Sequence, residues 1–458
     1  MNRHSLCLVL FSLFITGCAQ PLSDVHPSTI LDVSDGDVID ITASIVTNII
    51  NGVQHQMYAY NNMIPGIALR VSQNTQFTVN FHNNIDHETT IHWHGLRHDI
   101  KDDGVPDISQ QPVQSGETYT YTVTVPDTGI FWYHPHVRED KQQDLGLAGN
   151  ILVTSEESSD INTEELLVLD DILIENNKIV PYGKEHANFA LMGRFGNVLL
   201  VNGETDYALS VNTGDVVRFY LTNVANVRPF KISFGNARMK LVGSDLGSYE
   251  RETFVDDFII APAERYIVDV YFENTGNHDI IHTTPEKTYV LGTVTIDGET
   301  TEDFSKSFMT LNDNVDVSED IDRFRAYFDT PVDYTIDLTV DMPMMDTMMH
   351  DMDSMPCHQR GDGTWMGECD DTEDEHVIEW EDDMGMMNAQ STSKEVTWIM
   401  TDRATGEENM DFMMRANVGD VIKIRLFNDP ESMHPMQHPI HLHGQRFLVL
   451  RENGELTE

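Results

Sequence analysis

Positive charge is scarce in this chain. It carries 28 Lys and Arg residues against 76 Asp and Glu residues, which gives a formal net charge of −48. Such a surface repels phosphate backbones and anionic lipids, so the composition excludes nucleic-acid binding and favours cationic partners, metal ions included. The excess of acid fits a saline habitat or the buffering of metal ions, and composition does not choose between them.

Long hydrophobic runs are also missing, with one short exception at the start. The apolar run Leu6–Ile15 follows Arg3, is too short to span a bilayer and is typical of an export signal. It ends in Ile15-Thr-Gly-Cys18, which resembles the cleavage box of bacterial lipoproteins. We interpret residues 1–18 as a lipoprotein-like signal peptide, with a lipid on Cys18 as the membrane contact. This predicts the periplasmic face of a bacterial envelope; an ordinary export signal cleaved nearby is the alternative.

Cysteine is equally sparse, at four residues. Cys7 and Cys18 lie in the export signal, which leaves Cys357 and Cys369. In an exported protein these two are expected to form a disulfide, and metal binding is the alternative.

A sustained helical period is absent, whereas alternating, β-branched segments recur. Clear examples are Thr118–Val125, Val216–Leu221 and Tyr266–Phe272, separated by Gly, Pro, Asn and Asp. This pattern predicts an all-β protein without long helices.

One segment occurs three times without gaps. Val71–Asn83, Val211–Asn223 and Ala416–Asn428 each read as a turn, an alternating strand and a closing Asn. Three related β-sandwich domains follow from this repeat. We place them at residues 28–156, 164–300 and 304–458, and we expect a monomer.

The third domain contains an insertion, residues 341–388, that is rich in acids and methionine. It offers little material for a core, so we expect a surface segment that is mobile or folds around a ligand. Thioether sulfur is a soft ligand that prefers Cu(I), although a hydrophilic linker with incidental methionines is the alternative. The candidate Cu(I) ligands are Met342, Met344, Met345, Met348, Met349, Met352 and Met355.

Histidines are concentrated in three motifs: His92-Trp-His94, His134-Pro-His136 and His438-Pro-Ile-His441-Leu-His443. On a strand, residues i and i+2 point to one face, so each H-x-H pair offers two adjacent imidazoles. Three such pairs in a repeated β protein indicate a metal centre. Copper, zinc, iron and nickel all suit imidazole ligands, and spacing alone does not choose among them.

The register of these motifs is informative. His92 follows Asn83 by nine residues and His438 follows Asn428 by ten, so the two motifs occupy equivalent places in domains 1 and 3. The symmetry predicts a fourth cluster near position ~480. We therefore expect the sequence to be C-terminally truncated.

The three motifs resemble three of the four copper signatures of the multicopper oxidases. The similarity extends to Asp103-Gly-Val-Pro-Asp107, Pro126–Tyr133, Leu145–Gly149 and Ala261–Tyr266. The resemblance implies three cupredoxin-like Greek-key β-sandwich domains, of which the third is incomplete. It also implies four copper ions in the full-length protein: one of type 1, one of type 2 and two of type 3.

The resemblance also implies a role for each motif residue. His92 and His441 would hold the type-2 copper, and His438 would hold the type-1 copper. Asp103 resembles the acid that helps to supply protons to oxygen, or it is a turn residue before Gly104. The type-3 coppers would be held by His94, His134, His136 and His443.

The fourth signature of the family, with the type-1 Cys, is missing. The four cysteines lie in the export signal and the insertion, so none suits a blue copper site. We therefore expect residues 1–458 alone to be inactive.

The Met-rich insertion favours an oxidase that takes electrons from Cu(I), reduces O2 to water and serves copper tolerance. A laccase-like oxidase of small phenols is the first alternative. A copper-binding cupredoxin protein without turnover is the second.

Overall fold

The computed structural model describes residues 22–155, 160–183, 187–342, 358–359, 365–366, 378–381, 392–429, 437–452 and 455–456. Strands dominate these ranges and the helices are short, so the prediction of an all-β protein is confirmed. None of the helices in these ranges is long and apolar enough to cross a membrane. Cys7, Cys18, Cys357 and Cys369 lie outside the described residues.

The first domain consists of two five-stranded sheets. Its elements are β1 (Ser23–Asp24), β2 (Ile30–Val33), β3 (Val38–Ile50), β4 (Val53–Tyr60), β5 (Ala68–Ser72), β6 (Thr75–Asn84), β7 (His92–His94), a 3₁₀ turn (Ile100–Asp102), β8 (Thr118–Val125), β9 (Gly129–His134), α1 (Glu139–Gln142) and β10 (Gly149–Thr154). One sheet has the order β1-β3-β6-β8, with β4 also paired to β3. The other has the order β2-β5-β10-β9-β7, which leaves β7 at an edge.

Alternation along the strands builds the core between these sheets. On β6, Phe77, Val79 and Phe81 point inward while the intervening residues stay accessible. They meet Trp93 and Phe131 from the second sheet. Burying each such side chain contributes roughly 1.5–3 kcal/mol, so this core holds the edge strand β7 in place.

The second domain repeats the two-sheet arrangement. Its elements are β11 (Thr163–Ile172), β12 (Ile174–Glu175), β13 (Lys178–Ile179), α2 (Ala187–Leu191), β14 (Val198–Val201), β15 (Tyr207–Thr213), β16 (Val216–Asn223), β17 (Phe230–Phe234), β18 (Arg238–Ser244), β19 (Gly247–Val255), β20 (Phe258–Ile260), β21 (Arg265–Tyr271), β22 (Gly276–Thr283) and β23 (Thr288–Glu299). The sheets have the orders β14-β11-β16-β21-β18-β19 and β15-β23-β22-β17-β20, and β12 pairs with β13.

The repeated Asn has the same function in both domains. Asn83 donates from Nδ2 to the carbonyls of His87 and Val113, and Asn223 donates to those of Arg228 and Ile260. Each Asn also accepts, through Oδ1, the backbone N–H two residues further on. Because both side chains are fully buried, these bonds fix the chain where it leaves β6 and β16.

Domains 1 and 2 pack closely against each other. Asn150 on β10 donates to the Thr222 hydroxyl at 2.6 Å, and Gln143 donates to the Val224 carbonyl at 2.7 Å. Ile130 and other apolar residues of β9 and β10 pack on β16, β18 and β21. The outer face of the sheet that carries β7 and β9 is therefore covered by domain 2.

The remaining elements belong to the third domain and to the segment that leads into it from domain 2. They are α3 (Ser305–Phe308), α4 (Val315–Arg325), β24 (Tyr334–Asp341), β25 (His358–Gln359), β26 (Trp365–Met366), a 3₁₀ turn (Ser393–Glu395), β27 (Thr397–Asp402), a 3₁₀ turn (Asn409–Asp411), β28 (Ile424–Asn428), β29 (Arg451–Glu452) and β30 (Glu455–Leu456). The order β27-β24-β28 forms a sheet, and β25-β26 and β29-β30 are two-stranded. All five residues of β28 are exposed.

Helix α4 is an element that the sequence analysis missed. None of its residues is fully buried, and its apolar stripe of Val317, Ile321 and Phe324 is short and only half-buried, so the helical period is weak in the sequence. It is held at its ends by polar contacts with β19, from the Asn314 N–H to the Glu250 carbonyl and between Arg325 and Glu250.

The expectation of an exposed Met342 is wrong. Met342 is 1% exposed and packs with Leu191, Met192 and Phe195, because it directly follows β24 and extends that strand over domain 2. The insertion also contacts domain 2 at Trp380, whose carbonyl accepts a bond from Arg228. The other candidate methionines lie outside the described residues: Met344, Met345, Met348, Met349, Met352 and Met355.

Candidate metal centre

Two neighbouring strands bring the first histidines together. β7 pairs with β9 so that His92 lies opposite His134, and His94 lies opposite Trp132. Side chains alternate along a strand, so these histidines share one face while Trp93 points into the core. His92, His94 and His134 are at most 7% exposed and each offers a ligand atom within 4.8 Å of the others.

Histidines from beyond these strands complete the group. The ring of His441 stacks on His94 with centroids 3.9 Å apart, and the ring of His443 lies 4.3 Å from that of His92. His136, two residues after β9, has its ring 5.3 Å from that of His443. We call this set the histidine cluster: His92, His94, His134, His136, His441 and His443.

Hydrogen bonds hold one ring nitrogen and leave the other available. The Nδ1–H of His92 donates to the Asp103 carbonyl at 2.8 Å, and that of His134 donates to the Pro135 carbonyl at 2.7 Å. Among the described residues, the buried Nε2 of His92 has no hydrogen-bond partner. An orphaned imidazole nitrogen in a buried cluster of imidazoles is what a metal ion would satisfy.

Burial sets the protonation of the cluster. It lowers the pKa of His94 and His134 well below the ordinary histidine value. Burial and the neighbouring imidazoles lower the pKa of His441 to about 3. These rings are neutral at pH 7, and neutral imidazole is the form that binds metal.

Asp103 lies between the two domains that supply the cluster. Its Oδ1 is 3.3 Å from His92 Nδ1, and its Oδ2 is 2.9 Å from His443 Nδ1. Burial alone would raise the pKa of Asp103, but hydrogen bonds from the surrounding imidazoles outweigh burial and hold it below its usual range. Asp103 is thus an ionised residue that both follows the 3₁₀ turn and contacts the cluster.

Gly104 allows the segment with Asp103 to lie close to β7. Its φ is +76°, and a Cβ there would lie 1.8 Å from the Ile91 carbonyl oxygen. Only glycine therefore allows the turn that carries Asp103 to pack directly against β7.

His438 lines a separate cavity of about 400 Å³. Its ring lies 5.3 Å from that of Trp398, and burial lowers the pKa of the imidazole. Met192, Met400 and Ile440 are among the other residues that line this largely apolar cavity.

The strand geometry expected for all three motifs holds for only part of them. His92 and His94 lie on β7, whereas His136 follows the end of β9. His438 and His441 lie in irregular chain, and His443 lies in a turn with Gly444. In domain 3 the rings therefore gather through contacts with domain 1 rather than through strand alternation.

The sequence analysis missed two residues beside the cluster. His98 contacts Asp103, and no motif contains it. Arg265, 4% exposed, donates to the Ile130 carbonyl, and its charge lowers the pKa of His94 after the larger effect of burial. Arg265 lies in the segment Ala261–Tyr266, which resembles the family's sequence but does not indicate that Arg265 is close to the histidine cluster.

A second buried cluster, of three carboxyl groups, is also compact enough to hold a metal ion. Asp144, Asp170 and Asp171 offer oxygens within 4.8 Å of one another. Arg228 donates to Asp171 at 2.6 Å, and the hydroxyl of Tyr182 donates to Asp144. With these donors the group serves as a polar contact across the boundary of domains 1 and 2.

Comparison with known proteins gives the family. Three profiles described as multicopper oxidase match residues 42–158, 153–296 and 378–458. The chain belongs to the multicopper oxidase family. The family resemblance of the motifs is thereby confirmed.

Relatives among the multicopper oxidases are distant. Copper resistance protein A of Escherichia coli is 25% identical over 287 residues, which cover 53% of this chain and 47% of the relative. Laccase-1 of Cryptococcus neoformans is 27% identical over 249 residues, which cover 47% of this chain and 38% of that protein. The chain thus spans about half the length of these relatives, or less.

A solved structure supports the same architecture. The multi-copper oxidase from Pseudomonas thermotolerans is 28% identical, with a TM-score of 0.54, and covers 61% of this chain and 66% of its own. This agreement confirms the cupredoxin-like β-sandwich fold.

Copper, the cofactor that the family implies, fits the histidine cluster. The donors are neutral imidazoles, which copper accepts readily. The orphaned Nε2 of His92 and the convergence of His94 Nδ1 and His134 Nε2, 3.3 Å apart, supply lone pairs within reach of an ion.

Proposed function

We propose that this chain is part of an oxidase that converts Cu(I) to Cu(II) and reduces O2 to water, in copper tolerance. Four Cu(I) ions each lose one electron, and one O2 takes up four electrons and four protons to give two waters. Copper bound by the protein would supply the electron storage that this stoichiometry requires.

The observation that carries this proposal is a set of exposed methionines, one of which, Met400, lines the His438 cavity. Met400 lines the cavity and is 46% exposed, and its N–H donates to Asn409, another lining residue. Met410, adjacent to Asn409, is 89% exposed. We call Met400, Met410, Met413 and Met414 the surface methionines.

Other apolar side chains of the third domain, such as Leu426 and Phe427, are exposed as well, so the methionines are distinguished by their sulfur and not by their exposure. Sulfur prefers Cu(I) to Cu(II), and the chain's charge of −48 attracts cations. The name of the Escherichia coli relative, copper resistance protein A, supports the same substrate. We propose that the surface methionines deliver Cu(I) next to His438, together with the insertion methionines.

We propose the following ligand roles. His92 and His441 hold the type-2 copper, and His438 is a ligand of the type-1 copper. The type-3 coppers are held by His94, His134, His136 and His443. Asp103, ionised in the metal-free cluster, passes protons from water towards the oxygen site rather than storing them.

A laccase-like reaction is the second candidate, and the cavity favours it. A largely apolar space of about 400 Å³ beside His438 accommodates a small phenol ring. The relative named Laccase-1 supports this reading.

Replacing the surface methionines with leucine separates the two candidates. The experiment uses the protein expressed from the whole gene, because residues 1–458 contain no His-Cys-His motif. If Cu(I) is the substrate, the KM for Cu(I) rises about tenfold or more, whereas phenol turnover is unchanged. The matched control is Met309→Leu, an exposed methionine that directly follows α3 and lies against Arg238.

Removal of the insertion gives a second test. We would delete residues 343–377 and keep Met342 and Trp380, because both pack on domain 2. A loss of Cu(I) oxidation with phenol turnover retained supports the proposal. Unchanged Cu(I) kinetics in both variants would overturn it in favour of phenols, and copper binding without any O2 uptake would indicate the non-catalytic alternative.

We also propose export with a lipid on Cys18, as the start of the sequence predicts. Labelling with a radioactive fatty acid should mark the wild-type protein and leave Cys18→Ser unlabelled. Equal labelling of both proteins would contradict the lipid site.

A further inference from the structure

His98 is a buried histidine for which the proposed ligand set has no role. It lies four residues after His94, and its side chain is 1% exposed. Its Nε2 is 3.3 Å from Asp103 Oδ1, while its Nδ1 has no hydrogen-bond partner among the described residues. A buried polar ring with this geometry must be explained by what its single contact does.

The contact identifies the tautomer. A carboxylate oxygen accepts hydrogen bonds, so the nitrogen of His98 that lies 3.3 Å from Asp103 Oδ1 carries the hydrogen. A hydrogen on Nδ1 instead would leave a buried N–H without an acceptor, which costs about 1–3 kcal/mol. His98 is therefore an Nε2–H donor to Oδ1.

The other contacts of Asp103 show why this donor matters. The Nδ1–H of His92 is closer to the Asp103 carbonyl, at 2.8 Å, than to Oδ1, at 3.3 Å. His98 is thus the side chain whose only described hydrogen bond goes to Oδ1. The opposite oxygen, Oδ2, meets His443 Nδ1 from domain 3 at 2.9 Å.

We propose that His98 is a positioning residue that fixes the Asp103 carboxylate so that Oδ2 orients His443 across the domain boundary. With Nδ1 of His443 held by Asp103, its Nε2 remains free for the cluster. Domain 1 thereby determines the ring orientation of a ligand that its own strands do not carry. This inference rests on the proposed copper centre, but the orientation exists in the metal-free protein and can be tested there.

Two substitutions separate positioning from packing. His98→Gln keeps an N–H donor at a similar distance from the backbone, whereas His98→Phe fills the space without a donor. Loss of a hydrogen-bonding partner behind a metal ligand typically lowers metal affinity about 10- to 100-fold. We expect that loss for His98→Phe and near wild-type affinity for His98→Gln.

The first measurement uses metal-free protein labelled with ¹⁵N-histidine. Long-range ¹H–¹⁵N spectra should show His443 as a single Nδ1–H tautomer in the wild type and in His98→Gln. In His98→Phe the His443 signal should become a mixture of tautomers, and His443→Gln assigns the signal. The second measurement is the number of copper ions that each variant retains against chelators of graded strength.

A double-mutant comparison makes the mechanism specific. Because His98 acts through Asp103, adding His98→Phe to Asp103→Ala should cause no further loss of copper. Additive losses would overturn the proposal. It would also be overturned if both His98 variants retained the wild-type tautomer, or if both lost copper together with thermal stability, as packing requires. Wild-type protein without copper in the cluster would refute the proposed function, while the tautomer measurement would still decide the role of His98.

Discussion

The two halves of the histidine cluster are built differently. In domain 1, His92, His94 and His134 are buried on paired strands, and their positions follow from the register of β7 and β9. In domain 3, His441 and His443 lie outside any strand, and they are less buried than the three histidines of domain 1. The first half is a preformed template, and the second is ordered by contacts with that template. Ligand geometry in this protein therefore depends on domain 1 more than on the domain that donates the ring.

The largest expected effect is the loss of stability on adding a methyl group at Gly104, in domain 1. Gly104→Ala places a Cβ 1.8 Å from the Ile91 oxygen at a φ of +76°, so we expect a loss of more than about 3 kcal/mol in unfolding free energy. Gly444→Ala in domain 3 has no atom within 4 Å and a φ of +67°, so it should cost only about 1 kcal/mol. Thermal unfolding of both variants measures the difference, and equal losses would contradict the template.

The second largest effect is a loss of copper affinity on replacing His92, whose buried Nε2 has no hydrogen-bond partner among the described residues. His92→Gln removes the buried Nε2, and copper affinity should fall more than about 100-fold, beyond the loss typical of an outer partner. Metal content after dialysis and the type-2 resonance signal report this loss. His82→Gln, a histidine on β6 outside the cluster, is the control and should bind copper as the wild type does. Copper retained by His92→Gln would remove His92 from the ligand set.

A smaller effect is expected from Asp103→Ala, which should loosen the domain-3 half of the histidine cluster and leave the domain-1 half unchanged. Asp103→Ala removes the acceptor for His443, so hydrogen exchange at residues 437–450 of the metal-free protein should accelerate about tenfold while β7 and β9 stay protected. Asp40→Ala breaks an exposed pair with His82 in the same domain and should change neither region. Faster exchange in β7 as well would show that Asp103 supports the template rather than the junction.

The smallest effect is a pH dependence carried by the template. Burial lowers the pKa of His94 and His134, so below about pH 6.5 the unfolded chain binds protons that the folded chain does not. The metal-free protein should therefore lose stability as the pH falls from 6.5. The lowered pKa of Asp103 acts in the same direction below about pH 4. His94→Leu should flatten the profile between pH 6.5 and 4.5, and His82→Leu should leave it unchanged; an equally steep profile in His94→Leu would exclude this origin.

Local alternation was sufficient to predict much of the fold. The predicted segment Thr118–Val125 coincides with β8, and Val216–Leu221 lies within β16. Tyr266–Phe272 is shifted by one residue from β21. β8 is half-buried, and a period of two is the direct signature of that environment, whereas β16 and β21 are buried on both faces and are marked by their β-branched and aromatic residues. Helix α4 was missed because its apolar stripe, Val317, Ile321 and Phe324, is short and only half-buried, and polar contacts with β19 hold its ends.

Long-range proximity could not be predicted in the same way. The H-x-H spacing places His92 and His94 on one face, but the pairing of β7 with β9 decides that His134 lies opposite His92. His98 has no motif, since its partner Asp103 depends on a turn that only the fold shows. The burial of Met342 was not predicted because it begins the segment rich in methionine and acids, and its packing partners on domain 2 lie about 150 residues away in the chain.

The close contact between domains 1 and 2 has a consequence for how the protein melts. The buried bonds from Asn150 to the Thr222 hydroxyl and from Gln143 to the Val224 carbonyl join the two domains, and they cannot meet water unless both domains open together. Calorimetry should therefore record one cooperative transition for the two domains, and a cut in the chain that joins them should leave them associated. Domains 1 and 2, which the sequence repeat marks as separate, should therefore unfold as one cooperative unit.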